Sequence, residues 1–322
     1  MLNRRHIRIK VLQALYAAIQ SDQTDDVFNG QKKLMEKFDK IYDLALYQIS
    51  FMLEVREFAE LRIEEAKKKH FPTEQELNPN TRFIENAIFL QLSKNKFYQS
   101  KAESLAVNWS TEPEMIRKVF LDLVELDFYQ KYMAAPETNY KLDKAFVLEF
   151  FETLVLPHEN LHALFAEKNL SWADDFNLSA EVVMMIVSTY KMGWDEMRPL
   201  APLFKDDKDG GGGSQDRTFA KDLYKTVLMN RSEYDELIKP KVKNWEMDRL
   251  ATIDLILIQM GLAEVLEMPT IPIKVSMNEY IDLSKYFSTP KSKVFINGIL
   301  DHIIADLKSE GKIKKLGRGL VN

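Results

Sequence analysis

The chain has 322 residues, of which 46% are hydrophobic and 29% charged, and its formal net charge is −5. This composition is typical of a folded globular protein with one large domain or two to three smaller ones. No apolar run approaches the length of a membrane span, and the basic N-terminus lacks the apolar segment of a secretory signal. The absence of cysteine excludes disulfides, thiolate metal sites and cysteine nucleophiles, and it fits a cytoplasmic protein.

The first predicted element is an amphipathic helix that begins with a basic cluster. The stretch "LNRRHIRIK" contains Arg4, Arg5, Arg8 and Lys10, with His6 among them, and no acid accompanies them. Positive charge at a helix N-terminus opposes the helix dipole, and two arginines one turn apart repel each other. Apolar residues follow at helical spacing and anchor the helix. A rigid arginine cluster that the local sequence leaves unbalanced predicts recognition of phosphate.

The rest of the chain also has the pattern of helices. Apolar residues recur at spacings of three and four, no alternation of period two is sustained, and prolines fall between helical stretches. A degenerate repeat is present, because Phe83, Phe146 and Phe219 each precede a tryptophan by 26 residues. The three tryptophans are Trp109, Trp172 and Trp245. The repeat predicts a stacked helix–helix–Trp–helix unit, with the tryptophans as core wedges rather than as platforms for bases.

A glycine run interrupts the helical pattern. Residues 206–216, "DDKDGGGGSQD", hold four of the eleven glycines and predict a flexible linker. A natural loop and an engineered linker are both open interpretations of this run.

Both ends of the chain are basic, whereas the body between them is acidic. The C-terminal charges are Lys308, Lys312, Lys314, Lys315 and Arg318. Two basic ends on an acidic body predict localised contact with a polyanion, and two solvated, frayed termini are the alternative.

Residue patterns of known catalytic chemistry are missing. Among the five histidines only His158 and His162 share a helical face, and no third metal ligand is placed convincingly near them. The sequence contains no P-loop, no dinucleotide-binding glycine motif and no nucleophile elbow. We therefore predict no catalytic residue, no metal site and no cofactor, and a protein that is not an enzyme.

The most specific pattern lies in the C-terminal third. The stretch "IPIKVSMNEYIDLSKYFSTPKSKVFINGILDHII", residues 271–304, resembles the NusB family of transcription antitermination factors. The matching positions are Pro272, Lys274, Val275, Asn278, Glu279, Ile281, Leu283, Lys285, Ser292, Phe295, Asn297, Gly298, Leu300 and Asp301. The stretch "RRHIRIKVLQALY" is similar to the first helix of that family. The resemblance covers about residues 2–20 and 215–305, somewhat over a third of the chain.

The resemblance implies an all-α fold of two packed helical bundles and a function without catalysis. Family members bind the boxA element of ribosomal and phage leader RNA together with NusE, a protein of the small ribosomal subunit. This complex loads onto RNA polymerase and suppresses premature termination. A homodimer that covers the same basic face is a further possibility in the absence of RNA. No membrane contact is expected.

The resemblance also implies a division of the chain. Residues 1–20 form the first helix of the NusB-like core, and residues 215–322 form the rest of that core with a basic tail. Residues 21–210 are an inserted helical region, which we interpret as a product of duplicated core helices. The linker at 206–216 follows it.

Site residues are carried over position by position. The RNA-binding residues implied are Arg4, Arg5, His6, Arg8, Lys10, Lys291, Ser292, Lys293 and Phe295. His6 stands where an arginine is usual, which makes its contact weaker or pH-dependent. For Phe295, stacking on a base and burial in the core are both open. Asp254 matches an acidic position of the partner-binding helix, and Tyr16 supports that face. Asn278, Glu279, Asn297 and Gly298 are expected to be structural, as polar caps and as a close helix approach.

Two other functions are alternatives to RNA binding in transcription antitermination. NusB-like domains also precede RNA 5-methylcytosine methyltransferases, but that chemistry needs a catalytic cysteine and an S-adenosylmethionine-binding α/β domain, and this sequence has neither signature. A non-enzymatic helical-repeat scaffold that binds only proteins is the remaining alternative. It predicts little RNA affinity and no effect when Arg4, Arg5 and Arg8 are replaced.

Overall fold

The computed structural model describes residues 2–204, 215–242 and 250–317. The regular elements of these ranges are helices, and no strand occurs among them, which confirms the predicted all-α class. Most of the predicted linker, together with Trp245 and Arg318, lies outside the described residues.

The helices of the described residues have the following bounds. In chain order they are α1 (Arg4–Gln20), α2 (Val27–Lys67), α3 (Glu74–Leu77), α4 (Ala87–Lys94), α5 (Lys96–Ser104), α6 (Pro113–Val124), α7 (Asp127–Ala134), α8 (Tyr140–Phe150), a π-helical turn (Phe151–Val155), α9 (Glu159–Lys168), α10 (Leu170–Thr189), α11 (Gln215–Met229), α12 (Arg231–Ile238), a 3-10 turn (Lys239–Lys241), α13 (Thr252–Glu267), α14 (Ile273–Phe287) and α15 (Ser292–Ser309).

Packing divides the chain into two units. The split unit comprises Leu2–Phe38 and Phe204–Asn322, and the continuous unit comprises Asp39–Leu203. Residues before Asp39 belong to the split unit through contacts such as the Phe38 ring on the Phe204 ring, whose centroids lie 5.2 Å apart. The sequence-based boundaries at residues 21 and 210 stay a prediction.

The core of the split unit is built around α13. Its sequence "TIDLILIQMGLAEVLE" is apolar on every face, which is typical of a helix surrounded by others. Residues Ile256 to Val265 are accordingly buried, and α1, α11, α12, α14 and α15 pack around them. Gln259 and Glu264 are therefore polar groups at the centre of an apolar core, where each needs a hydrogen-bond partner.

A capped N-terminus and a buried stripe fix the start of α1. The side chain of Asn3 accepts a hydrogen bond from the backbone N–H of His6 at 3.0 Å. The buried stripe includes Val11, Leu12 and Leu15, as the helical spacing predicts, whereas Tyr16 is exposed. The first turn is thus held rigidly at the edge of the core.

Two aromatic clusters lie in the core of the continuous unit. The first includes Phe83 and Phe146, whose ring centroids lie 5.7 Å apart. In the second, Trp109 and Trp172 both pack against Tyr47, at 6.3 and 5.3 Å between ring centroids. Both indoles are buried, which confirms them as core wedges. The threefold repeat stays a prediction, because Trp245 is not described.

Histidine side chains have local structural roles in the same unit. Nδ1 of His158 accepts a hydrogen bond from the backbone N–H of Leu161 and caps α9, and the His162 ring lies 3.6 Å from the Phe176 ring. Burial lowers the pKa of His158, which favours the neutral form that this cap requires. Among the described residues, no group of three or more histidines, cysteines and acids could hold a metal ion.

None of the described helices combines the length and the apolar character that crossing a bilayer requires.

Glycines mark close approaches in the split unit, although not where the sequence suggests. A Cβ at Gly298 would meet nothing within 4 Å, so the prediction that Gly298 allows a close helix approach is wrong. The close approaches are at Gly261, where a Cβ would lie 3.2 Å from Leu300, and at Gly30, where it would lie 2.2 Å from the hydroxyl of Tyr224. The Tyr224 ring is buried against the space that Gly30 leaves.

We expect Gly30→Ala and Gly298→Ala to change stability in opposite directions. The first substitution displaces the buried Tyr224 ring and costs about 1–3 kcal/mol of unfolding free energy. The second only improves helix propensity and adds up to about 1 kcal/mol. Denaturant unfolding of both variants checks this, and equal shifts of the midpoint would contradict the packing of Tyr224 on Gly30.

Candidate nucleic-acid interface

Acids from other helices approach the exposed arginines of α1. Nε of Arg4 lies 3.2 Å from Oδ1 of Asp216, which belongs to α11. Nε of Arg5 lies 3.2 Å from Glu279, and its Nη2 lies 2.8 Å from Asp282, both on α14. The basic cluster is unbalanced in the local sequence, but the tertiary structure provides counter-charges. These acids also offset the unfavourable interaction of the arginines with the helix dipole.

The third arginine of the cluster is buried in a hydrogen-bonded network. The guanidinium of Arg8 donates two hydrogen bonds to the carboxylate of Glu264, at 2.8 Å from Nε and 2.6 Å from Nη2. The hydroxyls of Ser276 and Tyr280 each donate to the same carboxylate at 2.7 Å. The side chains of Arg8 and Glu264 are 3% and 0% exposed. The network therefore joins α1, α13 and α14 inside the core.

Burial and charge act in opposite directions on Arg8. Desolvation lowers its pKa, but the hydrogen bonds and charge of Glu264 outweigh that effect, so the pKa of Arg8 is raised overall. Desolvation raises the pKa of Tyr280, and the adjacent Glu264 carboxylate raises it further. Arg8 is accordingly charged and Tyr280 is a neutral donor at any pH at which the protein is folded.

Burial therefore separates the predicted RNA-binding residues of α1 into two groups. The side chains of Arg4 and Arg5 are each 38% exposed, and His6 is half-buried. Arg8 and Lys10 are buried. Arg8 lies on the buried stripe that includes Ile7, Val11, Leu12 and Leu15, which explains why it faces the core. Its predicted phosphate contact stays a prediction, although its donors are engaged by Glu264.

The second predicted RNA-facing element begins α15. Oγ of Ser292 donates to Oδ2 of Asp254 at 2.7 Å and lies 2.9 Å from the hydroxyls of Ser288 and Thr289. Ser292 is buried by these contacts. The flanking Lys291 and Lys293 are exposed, and Phe295 is half-buried.

These two elements contact opposite ends of α13. Arg8 meets α13 at Glu264, whereas Ser292 meets it at Asp254. Ten residues of helix separate these contact points, or about 15 Å along the axis at 1.5 Å per residue. The start of α1 and the start of α15 therefore both contact α13, but at different residues of that helix.

The predicted partner-binding residues also differ in accessibility. The Tyr16 side chain is exposed, at 40% for the residue, whereas Asp254 is only 6% exposed. Oδ1 of Asp254 is buried and has no hydrogen-bond donor among the described residues.

A cleft of about 720 Å³ opens beside the arginine cluster. It is bounded by the first turn of α1 and by the segment that leads into α14, including Pro272, Val275 and Glu279. The cleft gives the guanidinium groups of Arg4 and Arg5 a concave and mostly apolar surface.

The C-terminal tail is docked as far as it is described. Nζ of Lys315 donates to the backbone carbonyls of Glu264 and Met268 at 3.3 and 3.0 Å, and so caps the end of α13. The backbone N–H of Leu316 donates to the carbonyl of Pro269 at 2.9 Å. Desolvation lowers the pKa of Lys315. Part of the basic tail is therefore structural.

Sequence analysis missed the acids that organise this region. The sequence patterns indicate no role for Glu264, Asp216 or Asp282. They predict that Glu279 is a polar cap, whereas Glu279 pairs with Arg5 and Arg8. A signal for Glu264 was present, because a lone acid inside an otherwise apolar helix needs a buried partner.

We expect Arg8→Met to cost about 3–5 kcal/mol of unfolding free energy, because it leaves the Glu264 carboxylate buried without a cation. The matched change Arg5→Met, at a part-exposed pair, is expected to cost at most about 1 kcal/mol. The double variant Arg8→Met/Glu264→Gln should recover most of the loss, because it removes the buried charge, and the amide oxygen can accept from one of the Ser276 and Tyr280 hydroxyls while the amide NH2 donates to the other. Chemical denaturation measures all three, and similar losses for the two single variants would contradict a buried charge network.

Parts of this chain are similar in sequence to known proteins. The model of the NusB family matches residues 195–305. A transcription antitermination protein NusB of Geobacter sulfurreducens is 37% identical over 134 residues, which are 42% of this chain and 96% of that protein. The proteins of the same name from Salinibacter ruber and Chloroherpeton thalassium are 42% and 34% identical to this chain over 105 and 143 residues.

The aligned parts are 33% and 44% of this chain, and 66% and 67% of those two proteins. No solved structure matches the chain. The near-complete coverage of the Geobacter relative shows that this chain belongs to the NusB family.

Proposed function

We propose that the chain is an RNA-binding transcription antitermination factor. It binds boxA-type RNA together with NusE and acts on RNA polymerase during transcription of ribosomal RNA, by binding and not by catalysis. Membership in the NusB family, whose relatives carry the name transcription antitermination protein, is the observation that carries this proposal. An alternative, a helical-repeat scaffold that binds only proteins, is tested by the same experiment.

The exposed cations support RNA as the ligand. Arg4 and Arg5 line a cleft, and Lys291 and Lys293 are exposed at the start of α15, so both elements present positive charge. Arginine forks suit phosphate oxygens, and Phe295 offers part of a ring for stacking.

The buried members of the predicted site act by positioning in this proposal. Arg8 and Lys10 hold the first turns of α1 on the core, and Ser292 holds α15 on Asp254. His6 lies half-buried in the same turn and is a further RNA contact in this proposal.

Tyr16 is the exposed contact for NusE in this proposal. Oδ1 of Asp254 needs a hydrogen-bond donor, which the partner or a side chain that moves on binding can supply. Without RNA, a homodimer that covers the basic face is a further part of the proposal, and sedimentation of the RNA-free chain measures it.

We expect Arg4→Ala/Arg5→Ala to reduce the salt dependence of binding to a boxA-type RNA. Each lost phosphate contact lowers the slope of log affinity against log salt by about 0.7, so two lost contacts lower it by about 1.4. Lys291→Ala/Lys293→Ala should lower it by a similar amount. Fluorescence anisotropy at several salt concentrations, with and without NusE, measures both.

The matched control is Lys221→Ala/Lys225→Ala, which removes two exposed lysines of α11 that form no ion pair among the described residues. The control should leave the slope unchanged, and NusE binding should survive in all variants. An unchanged slope in both test variants would favour the protein-only scaffold.

Asp282→Asn is expected to strengthen RNA binding severalfold at low salt. Asp282 pairs with Arg5 and with Lys285, and these hydrogen bonds hold the pKa of its carboxyl below the usual range. RNA must share or displace this acid to reach Arg5, so removing its charge removes a competitor. The effect should shrink as salt screens the charges. Weaker binding by the variant would mean that the acid positions Arg5 for RNA.

A further inference from the structure

One surface of the continuous unit combines exposed cations with an aromatic ring. It is formed by the α4–α5 junction, by α8 and by the segment 190–198. We name it the lysine–tryptophan surface and define it by Lys94, Lys96, Lys144, Lys191, Trp194 and Arg198. Trp194 is the tryptophan that the repeat leaves out.

Backbone and amide hydrogen bonds hold the segment 190–198 against α5. The backbone N–H of Lys96 donates to the carbonyl of Glu196 at 2.8 Å. The side-chain amide of the buried Asn95 donates to the carbonyl of Arg198 at 2.8 Å. The segment that carries Trp194 is therefore fixed at its C-terminal end.

The other end of the segment is fixed by α4 and α8. The amide of Gln91 donates to the carbonyl of Lys191 at 3.3 Å and its oxygen accepts from the hydroxyl of Tyr140 at 2.7 Å. Nζ of Lys144 donates to the carbonyl of Tyr190 at 2.6 Å. The surface is thus a built arrangement rather than a set of unrelated side chains.

The cations of this surface lack counter-ions. Lys94, Lys191 and Arg198 are exposed and form no ion pair among the described residues, and Nζ of Lys96 donates to the side chain of Gln99. Burial lowers the pKa of Lys144, and the like charge of Lys191 lowers it further, so these two lysines repel each other. Like charges held together without ion pairs among the described residues suit an external anion.

Acids are sparse on this surface. Residues 86–102 contain no Asp or Glu, α8 contains Asp143, which is buried, and Glu149, and the acids of the segment 190–198 are Asp195 and Glu196. Asp195 accepts a hydrogen bond from the backbone N–H of Met197 at 3.0 Å and so serves the turn. The surface is basic although the unit around it is rich in acids.

The aromatic part is arranged for stacking. Trp194 is half-buried, the guanidinium of Arg198 lies over its ring at 4.8 Å from the centroid, and the Tyr190 ring lies 5.4 Å from it. An indole with an arginine plane over it is the kind of platform on which unpaired bases stack.

We propose that the lysine–tryptophan surface is a second binding site for single-stranded RNA, with phosphates on the lysines and a base stacked at Trp194. An acidic protein segment would use the charges, but it would gain little from a stacking platform. This inference goes beyond the proposed function, because it concerns other residues and needs no boxA sequence.

The test uses the full chain and a fluorescent oligouridine without a boxA element. The variant Lys94→Ala/Lys96→Ala/Lys191→Ala should lower the slope of log affinity against log salt by about 2, between about 50 and about 200 mM salt. The matched control Lys68→Ala/Lys118→Ala/Lys131→Ala removes exposed lysines of the same unit that form no ion pair among the described residues, and its slope should stay unchanged.

A second variant separates stacking from charge. Trp194→Leu should weaken oligouridine binding about tenfold at fixed salt and leave the salt slope unchanged. Trp194→Phe, which keeps a ring, should retain most of the affinity. Equal melting temperatures of the variants confirm that the unit is folded.

Two outcomes would overturn the proposal. One is equal affinity of the lysine variant and its control. The other is a loss with the lysine variant but none with Trp194→Leu, which would indicate an acidic protein partner. The variant Arg4→Ala/Arg5→Ala is measured in parallel: boxA-type RNA reports the α1 site, and oligouridine binding that persists in this variant reports the lysine–tryptophan surface.

Discussion

The buried ion pair of Arg8 and Glu264 is the constraint on which the split unit depends. A carboxylate at the centre of the most apolar helix is costly unless a cation and hydrogen-bond donors meet it. Arg8 provides the cation, and Ser276 and Tyr280 provide further donors. Because these groups come from α1, α13 and α14, the pair fixes how the first helix lies on the core. It is an orienting contact more than a source of net stability, since desolvation offsets much of its attraction.

That orientation decides which cations face outward. Once Arg8 faces Glu264, the helical spacing leaves Arg4 and Arg5 at the rim of the cleft. There they meet Asp216, Glu279 and Asp282 at part-exposed positions, where ion pairs are weak and exchange readily. A basic cluster with such counter-charges is held in place but is still open to a stronger anion. This explains how an acidic protein can keep a concentrated positive site without distorting its first helix.

The continuous unit follows a different principle. Clusters of aromatic rings pack in its core, where Trp109 and Trp172 share Tyr47 and Phe165 as neighbours. Such a core leaves the surface free to vary. One part of that surface has become basic and aromatic, although the surrounding unit is acidic. A family protein with a second helical unit therefore has room for contacts that its shorter relatives lack.

The sequence by itself determined the helical class, the burial of Trp109 and Trp172, the stripe that anchors α1 and the family to which the chain belongs. These depend on periodicity and on local motifs, which are properties of neighbouring residues. Only the tertiary structure decided that Arg8 is buried while Arg5 is exposed, that Asp254 binds Ser292, and that Gly261 and Gly30, not Gly298, mark close approaches. Each of these depends on a partner distant in the chain. Local charge and spacing cannot reveal such a partner, because the acids that complete the arginine cluster lie more than two hundred residues away.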